Sequence, residues 1–227
     1  MEDSALSGLT QLWQLIINSF SLSKIPNIDN VKKTLSSMNL VKNDITNIEN
    51  DYFKDSVLMN VNIAYNNIKT IPDVCYINET VEVINLNHNK IILIDPVLKC
   101  PFPYLYRLSL TGNRIQQLGL TCEKRFTLWP SLDTLEVEDN QLNNLPGLYC
   151  EDMMRTKIGS LNIWAQNNLF VCNTSLGWLV RNKYEKYISS LGTVQYLWAG
   201  EGRRFLFSRL PKINCGPPRT IFLKKNF

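Results

Sequence analysis

Histidine occurs once in 227 residues, charged residues make up only 19% of the chain, and no apolar stretch reaches the length of a membrane span. A bilayer-crossing helix needs roughly 20 consecutive apolar residues. The longest candidate, Trp13 to Phe20, is interrupted by Gln14, Asn18 and Ser19. Neither a GxxxxGK[ST] loop nor a GxGxxG turn is present, which removes the usual backbone cradles for phosphate. CxxC pairs are also missing, and no His/Cys cluster has metal-ligand spacing, so no metal site is expected. The net charge is only +4, and apart from the doublets Arg203-Arg204 and Lys224-Lys225 the basic residues are scattered. That leaves no basic footprint for nucleic acid. Catalysis needs a nucleophile, a base and an orienting group that converge. The lone His88 lies between Asn87 and Asn89 with no Ser or Cys partner suggested by the sequence. The chain therefore reads as neither an enzyme nor a cofactor carrier. Met1-Glu2-Asp3-Ser4 is acidic where a secretory leader would be positive, and no apolar leader core follows.

What is present is a repeat. Written as LxxLxLxxNxLxxL, one copy runs Leu35, Met38, Leu40, Asn43, Ile45, Ile48 and the next Leu58, Val61, Ile63, Asn66, Ile68, Ile71. Three more begin at Val81, Leu105 and Leu132, carrying Asn89, Asn113 and Asn140 in the ninth slot. The first slots are 23, 23, 24 and 27 residues apart. Weaker copies flank these. Leu12, Leu15, Ile17, Phe20, Leu22, Ile25 puts Phe20 in the Asn slot, and Ser160, Ile163, Ala165, Asn168 closes the series. The LxL portion alternates with period two, so each unit predicts a short strand with its Leu positions inward. Units that cannot bury an apolar face alone must stack, which builds a parallel sheet on one side of a solenoid. Ile25-Pro26, Ile71-Pro72 and Leu145-Pro146 end regular pairing, because proline lacks the donor. An irregular or 3₁₀ convex side follows.

Cys75, Cys100, Cys122 and Cys150 fall at slots 18, 20, 18 and 19 of successive units, all on that convex side. Bridges Cys75–Cys100 and Cys122–Cys150 between adjacent turns, or four buried thiols, would both fit these positions; the even count in matched slots favours bridges. Two sequons, at Asn78 and Asn173, point with the cysteines toward an oxidising, glycosylating compartment, against the missing leader.

The period and pattern lie within the range of leucine-rich repeats. The segment Asn168-Leu169-Phe170-Val171-Cys172, continuing to Leu176 and Trp178-Leu179, with Cys215-Gly216-Pro217-Pro218 later, resembles the C-terminal flanking cap of extracellular leucine-rich-repeat proteins. That cap opens NPxxCxCxLxWL, normally holds four cysteines, and closes on a CxxP-type segment. Here Thr174 stands at the second cysteine and Cys215 is the single downstream partner. The resemblance implies a one-bridge variant, Cys172–Cys215, with Trp178 lying over the last repeat. It also implies that the slot-nine Asn amides bond to the backbone of neighbouring turns.

The expected architecture is an α/β leucine-rich-repeat solenoid, with a curved parallel sheet inside and an irregular convex face. About seven repeats over 1–167, incomplete at the N-terminal end, would precede a cap over 168–227. The expected role is a protein-binding module, extracellular and either secreted or displayed, with membrane contact only through a segment not in this chain. A Toll-like or repeat-bearing G-protein-coupled receptor ectodomain is the alternative, which a transcript read beyond Phe227 would separate. A cytosolic scaffold is a third, which six free thiols under non-reducing conditions would favour. Outward strand slots nominate Asn39, Asn62 and Asn85, continued by Ser109, Glu136 and Trp164, and a second column of Lys42, Tyr65, His88, Gly112 and Asp139. Tyr106, Asp133 and Glu138 complete the candidate ligand face. The polar members of these columns could equally serve only to keep the sheet soluble.

Overall fold

The computed structural model describes residues 6, 8–95, 99–119, 127–143, 162–170, 188–190, 193–198 and 201–206. Strands β1 (Gln14–Ile16), β2 (Ser37–Asn39), β3 (Asn60–Asn62), β4 (Val83–Asn85), β5 (Arg107–Ser109), β6 (Thr134–Glu136) and β7 (Asn162–Trp164) each span three residues. They pair in parallel in sequence order. An eighth, β8 (Ile188–Ser190), continues the sheet with a register irregularity at Ile163/Trp164. β9 (Thr193–Trp198) and β10 (Glu201–Leu206) form a separate antiparallel ribbon.

The repeat dictates the register. Leu15, Met38, Val61, Ile84, Leu108, Leu135 and Ile163 are consecutive partners at the middle of each strand, and all are buried. They join Leu35, Leu40, Ile63, Ile68 and their equivalents, among them Phe170, in one core, backed on the convex side by Phe53, Phe102 and Trp129. Each such side chain removed from water contributes about 1.5–3 kcal/mol. The stacking of successive turns therefore holds the array together.

A column of buried asparagines runs beside this core: Asn43, Asn66, Asn89, Asn113, Asn140 and Asn168. Asn89 Oδ1 accepts the Ile68 N–H at 3.0 Å, while its Nδ2 donates to Ile63 O at 3.0 Å and Leu86 O at 3.1 Å. Asn66, Asn113, Asn140 and Asn168 repeat the arrangement. The bend after each strand turns backbone groups inward, where an unpaired donor or acceptor is costly. One amide per turn satisfies three of them. In the first turn Phe20 occupies this slot and is exposed, so the ladder begins at Asn43, which accepts from Phe20 N and Leu22 N.

The convex side contains bends and a 3₁₀ turn over Val74–Ile77, capped by Asp73, whose carboxylate accepts the Cys75 N–H at 3.0 Å. The fold is thus a parallel β-solenoid with little helix, narrower than the α/β class expected. Cys75 and Cys100 are bridged across 25 residues with Cα atoms 5.9 Å apart, tying two adjacent turns. Cys122, Cys150, Cys172, Cys215, Asn173 and Trp178 lie outside the described residues. Tyr52 donates its hydroxyl to Pro26 O at 2.8 Å and meets Phe53 edge-on. Burial, and then the negative charge of Asp29, push its phenol above the ordinary value. Asp29 itself is held below the usual carboxylate range by its hydrogen bonds to Lys32 and Asn27. Its contact with Lys32, at 2.8 Å, is the one ion pair among the described residues.

Candidate functional site: the strand-bearing face

Strand pairing places Ile16, Asn39, Asn62, Asn85, Ser109, Glu136 and Trp164 in one row across the sheet. Neighbouring strands in a sheet lie about 4.8 Å apart. The expected column therefore exists as a physical row, but its members differ in availability. Ser109 is only 2% exposed, so it does not continue the outward surface. Asn39, Asn62 and Asn85 are half-buried, and each turns its Oδ1 back to accept the N–H two residues on, at 3.3, 3.3 and 3.0 Å. None of the three donates its Nδ2 to a protein group among the described residues, which leaves a comb of amide donors at the sheet surface. A shallow groove of about 350 Å³ follows this comb, with Gln14, Ser37, Asn60 and Arg107 among its lining.

The second column is not strand. Ser19, Lys42, Tyr65, His88, Gly112, Asp139 and Asn167 all have positive φ, between 50° and 71°. Each sits three residues past the end of its strand, where the chain reverses into the ninth slot. A left-handed non-glycine residue costs about 1–2 kcal/mol. The backbone gains a compensating bond from Ser19 through Asp139, whose N–H groups donate to the next turn: Tyr65 N to Asn87 O at 2.8 Å, His88 N to Thr111 O at 2.7 Å and Gly112 N to Glu138 O at 2.9 Å, for example.

Their shared geometry stacks the side chains. Tyr65 and His88 rings lie 4.3 Å apart and 21° from parallel, with the Lys42 ammonium 5.9 Å from the centre of the Tyr65 ring. The His88 ring also leans over Gly112, where a Cβ would come within 2.8 Å of Cε1. Glycine is needed here because the imidazole fills the space a side chain would take.

Tyr65, Tyr106 and Trp164 are exposed by 48%, 45% and 41%. Asp133 and Asp139 are exposed, and Glu136 and Glu138 half-buried. These four carboxylates lie on one turn. Glu138 accepts from Gln166 Nε2 at 2.6 Å, Asp139 from Asn167 Nδ2 at 2.8 Å and Asp133 from the Thr134 hydroxyl at 3.0 Å. Asn78 sits apart from this face, half-buried beside the Cys75–Cys100 bridge, with its Nδ2 donating to Pro101 O at 2.9 Å. Among the described residues, no group of three or more His, Cys, Asp or Glu could hold a metal ion. Nor is any helix among them long and apolar enough to cross a membrane.

Sequence reading missed the apolar N-terminal end of this face. Trp13 is 65% exposed in the second slot, in line with Tyr106, and Ile16 heads the asparagine row. The slot count that found Tyr106 would have found Trp13 as well.

A leucine rich repeat family profile matches residues 33–91. Residues 33–91 are leucine-rich repeats, and the described chain has the fold of a leucine-rich-repeat-type parallel β-solenoid. Similar solved structures include a leucine-rich-repeat protein of Leptospira interrogans, at 22% identity and TM-score 0.63 over 83% of this chain and 45% of that one. An internalin of Listeria monocytogenes is similar at 17% identity and TM-score 0.53, covering 85% of this chain and 58% of the internalin. Drosophila Toll in its complex with Spätzle is similar at 18% identity and TM-score 0.59, covering 85% of this chain and 27% of that one. This leucine-rich-repeat chain spans between about a quarter and three fifths of the length of these proteins, and what it shares with them is the fold. No curated protein matches it significantly in sequence. Leucine-rich-repeat domains generally bind proteins, and the bridged Cys75–Cys100 pair suits an oxidising compartment.

Proposed function

We propose that this leucine-rich-repeat protein is a non-catalytic, extracellular binding module that grips a protein partner on its strand-bearing face. The supporting observation is the set of exposed aromatics on this face: Trp164 in β7, Tyr106 next to β5 and Tyr65 in the left-handed turn after β3. Aromatic side chains that are already ordered lose little freedom on binding and anchor interfaces. His88 and the comb of Asn39, Asn62 and Asn85 amides offer directional donors beside them, and Asp133, Glu136, Glu138 and Asp139 set the charge at one end. The proposed cap over 168–227, with Cys172–Cys215, would close that end of the array. Service as part of a signalling-receptor ectodomain is the second reading; the fold shared with Toll favours it, and it would use the same face.

The test places a photoreactive residue at Tyr106 and, separately, at Leu93, an exposed side chain outside the strands. A partner should crosslink from Tyr106 and not from Leu93, and Trp164→Ala should weaken its capture. Equal crosslinking from both positions, or capture indifferent to Trp164→Ala, would overturn the reading.

A further inference from the structure

The sequon Asn78-Glu79-Thr80 lies against the Cys75–Cys100 bridge, and the fold occupies both groups that a glycosyl transfer needs. Asn78 caps the 3₁₀ turn in right-handed helical geometry, φ −61° and ψ −30°, and its N–H donates to Cys75 O at 3.3 Å. Its Nδ2 donates across to Pro101 O at 2.9 Å, one residue beyond the bridged Cys100. The Thr80 hydroxyl donates to Leu58 O at 2.9 Å, on the preceding turn, and lies 3.3 Å from Ile77 O.

The threonine has a structural reason to be there. Thr34, in the equivalent position one residue before its repeat's first leucine, makes the same pair of bonds, to Leu12 O at 3.0 Å and Val31 O at 3.2 Å. Lys32 stands two residues before Thr34, so that turn uses the hydroxyl without any sequon. The Thr80 hydroxyl is therefore part of the solenoid's bonding whether or not Asn78 is modified.

We propose that Asn78 is a modification site gated by folding: it can accept a glycan only before the Cys75–Cys100 turn closes, and the folded chain excludes the transfer. The proposal does not depend on the binding reading. In the transfer, Asn78 Nδ2 attacks the anomeric carbon of a lipid-linked oligosaccharide. The new C–N bond forms as the C–O bond to the lipid pyrophosphate breaks; the pyrophosphate leaves with the electron pair and the amide proton passes to a base of the transferase. The transferase must grip Nδ2 and the threonine hydroxyl together. In the closed turn the first is held by Pro101 and the second by Leu58, and both would have to be released against the stacked turns on either side.

The full chain, behind a cleavable export leader and carrying Asn173→Gln so that one native sequon remains, is translated into microsomes. Glycan is read as an endoglycosidase-sensitive mobility shift, and the bridge by alkylation of free thiols. Occupancy of Asn78 should rise severalfold with dithiothreitol or with Cys100→Ser, and glycosylated chains should have Cys75 and Cys100 alkylatable. As a reporter for transfer unrelated to the bridge, a separate chain carries Glu49→Thr, which makes a sequon at the exposed Asn47, together with Asn78→Gln; its occupancy should be the same in both arms. Equal Asn78 occupancy with and without reductant, zero included, would overturn the proposal. So would a glycosylated chain whose bridge is intact, or an Asn47 signal that rises as steeply as the Asn78 signal.

Discussion

In three successive repeats two asparagines stand four residues apart, in an inner and an outer column, and the solenoid treats them differently. In the inner column Asn66, Asn89 and Asn113 are buried and use both ends of the amide, linking three backbone groups on two turns. In the outer column Asn39, Asn62 and Asn85 bond only within their own turn, through Oδ1, and keep Nδ2 at the surface. The same side chain is structural in one slot and free for a partner in the other. What differs is whether water can reach the groups it would otherwise satisfy: an unmet backbone donor costs little on the strand face and a great deal inside.

The strongest way to probe that contrast is Asn89→Ala. It leaves the Ile68 N–H and the carbonyls of Ile63 and Leu86 short of a partner in a dry interior, and should cost about 4 kcal/mol of stability by urea denaturation. A loss below about 1 kcal/mol would mean that water enters the ladder and that the inner column is not special.

Gly112→Ala comes next, at about 2 kcal/mol: a left-handed φ of 71° disfavours any Cβ, and the methyl would press on His88. Thermal unfolding should show part of the loss recovered in a His88→Ala background, because the stacked ring is one of the two causes. Full recovery would assign the whole effect to the ring, and none would assign it to the backbone.

Asn85→Ala should be the mildest, under about 1 kcal/mol, since it removes one partly solvated bond to Asn87 N. A loss as large as that of Asn89→Ala would erase the distinction between the columns.

Much of this was legible before the fold was known. The LxL alternation located the strands, the ninth-slot asparagines located the ladder, and matched slots paired Cys75 with Cys100. Tyr65, Tyr106 and Trp164 occupy outward slots and are exposed, as the alternation within each unit suggests. Other readings needed neighbours. Ser109 occupies an outward slot and is still buried. The eighth slot reads in sequence as more strand, yet its residues turn left-handed, since the chain must reverse before the asparagine. Sequence marked Asn78 as a sequon but could not show that Pro101, 23 residues away, holds its amide.

The sequence by itself determined the period, the inward faces and the side chains available in each slot, because those follow from local alternation and from spacing along the chain. Only the tertiary structure decided which surface groups are already spoken for. Stacking brings residue i against residues about one repeat away, and that contact determines whether His88 stacks, Gly112 must stay bare and Asn78 is held.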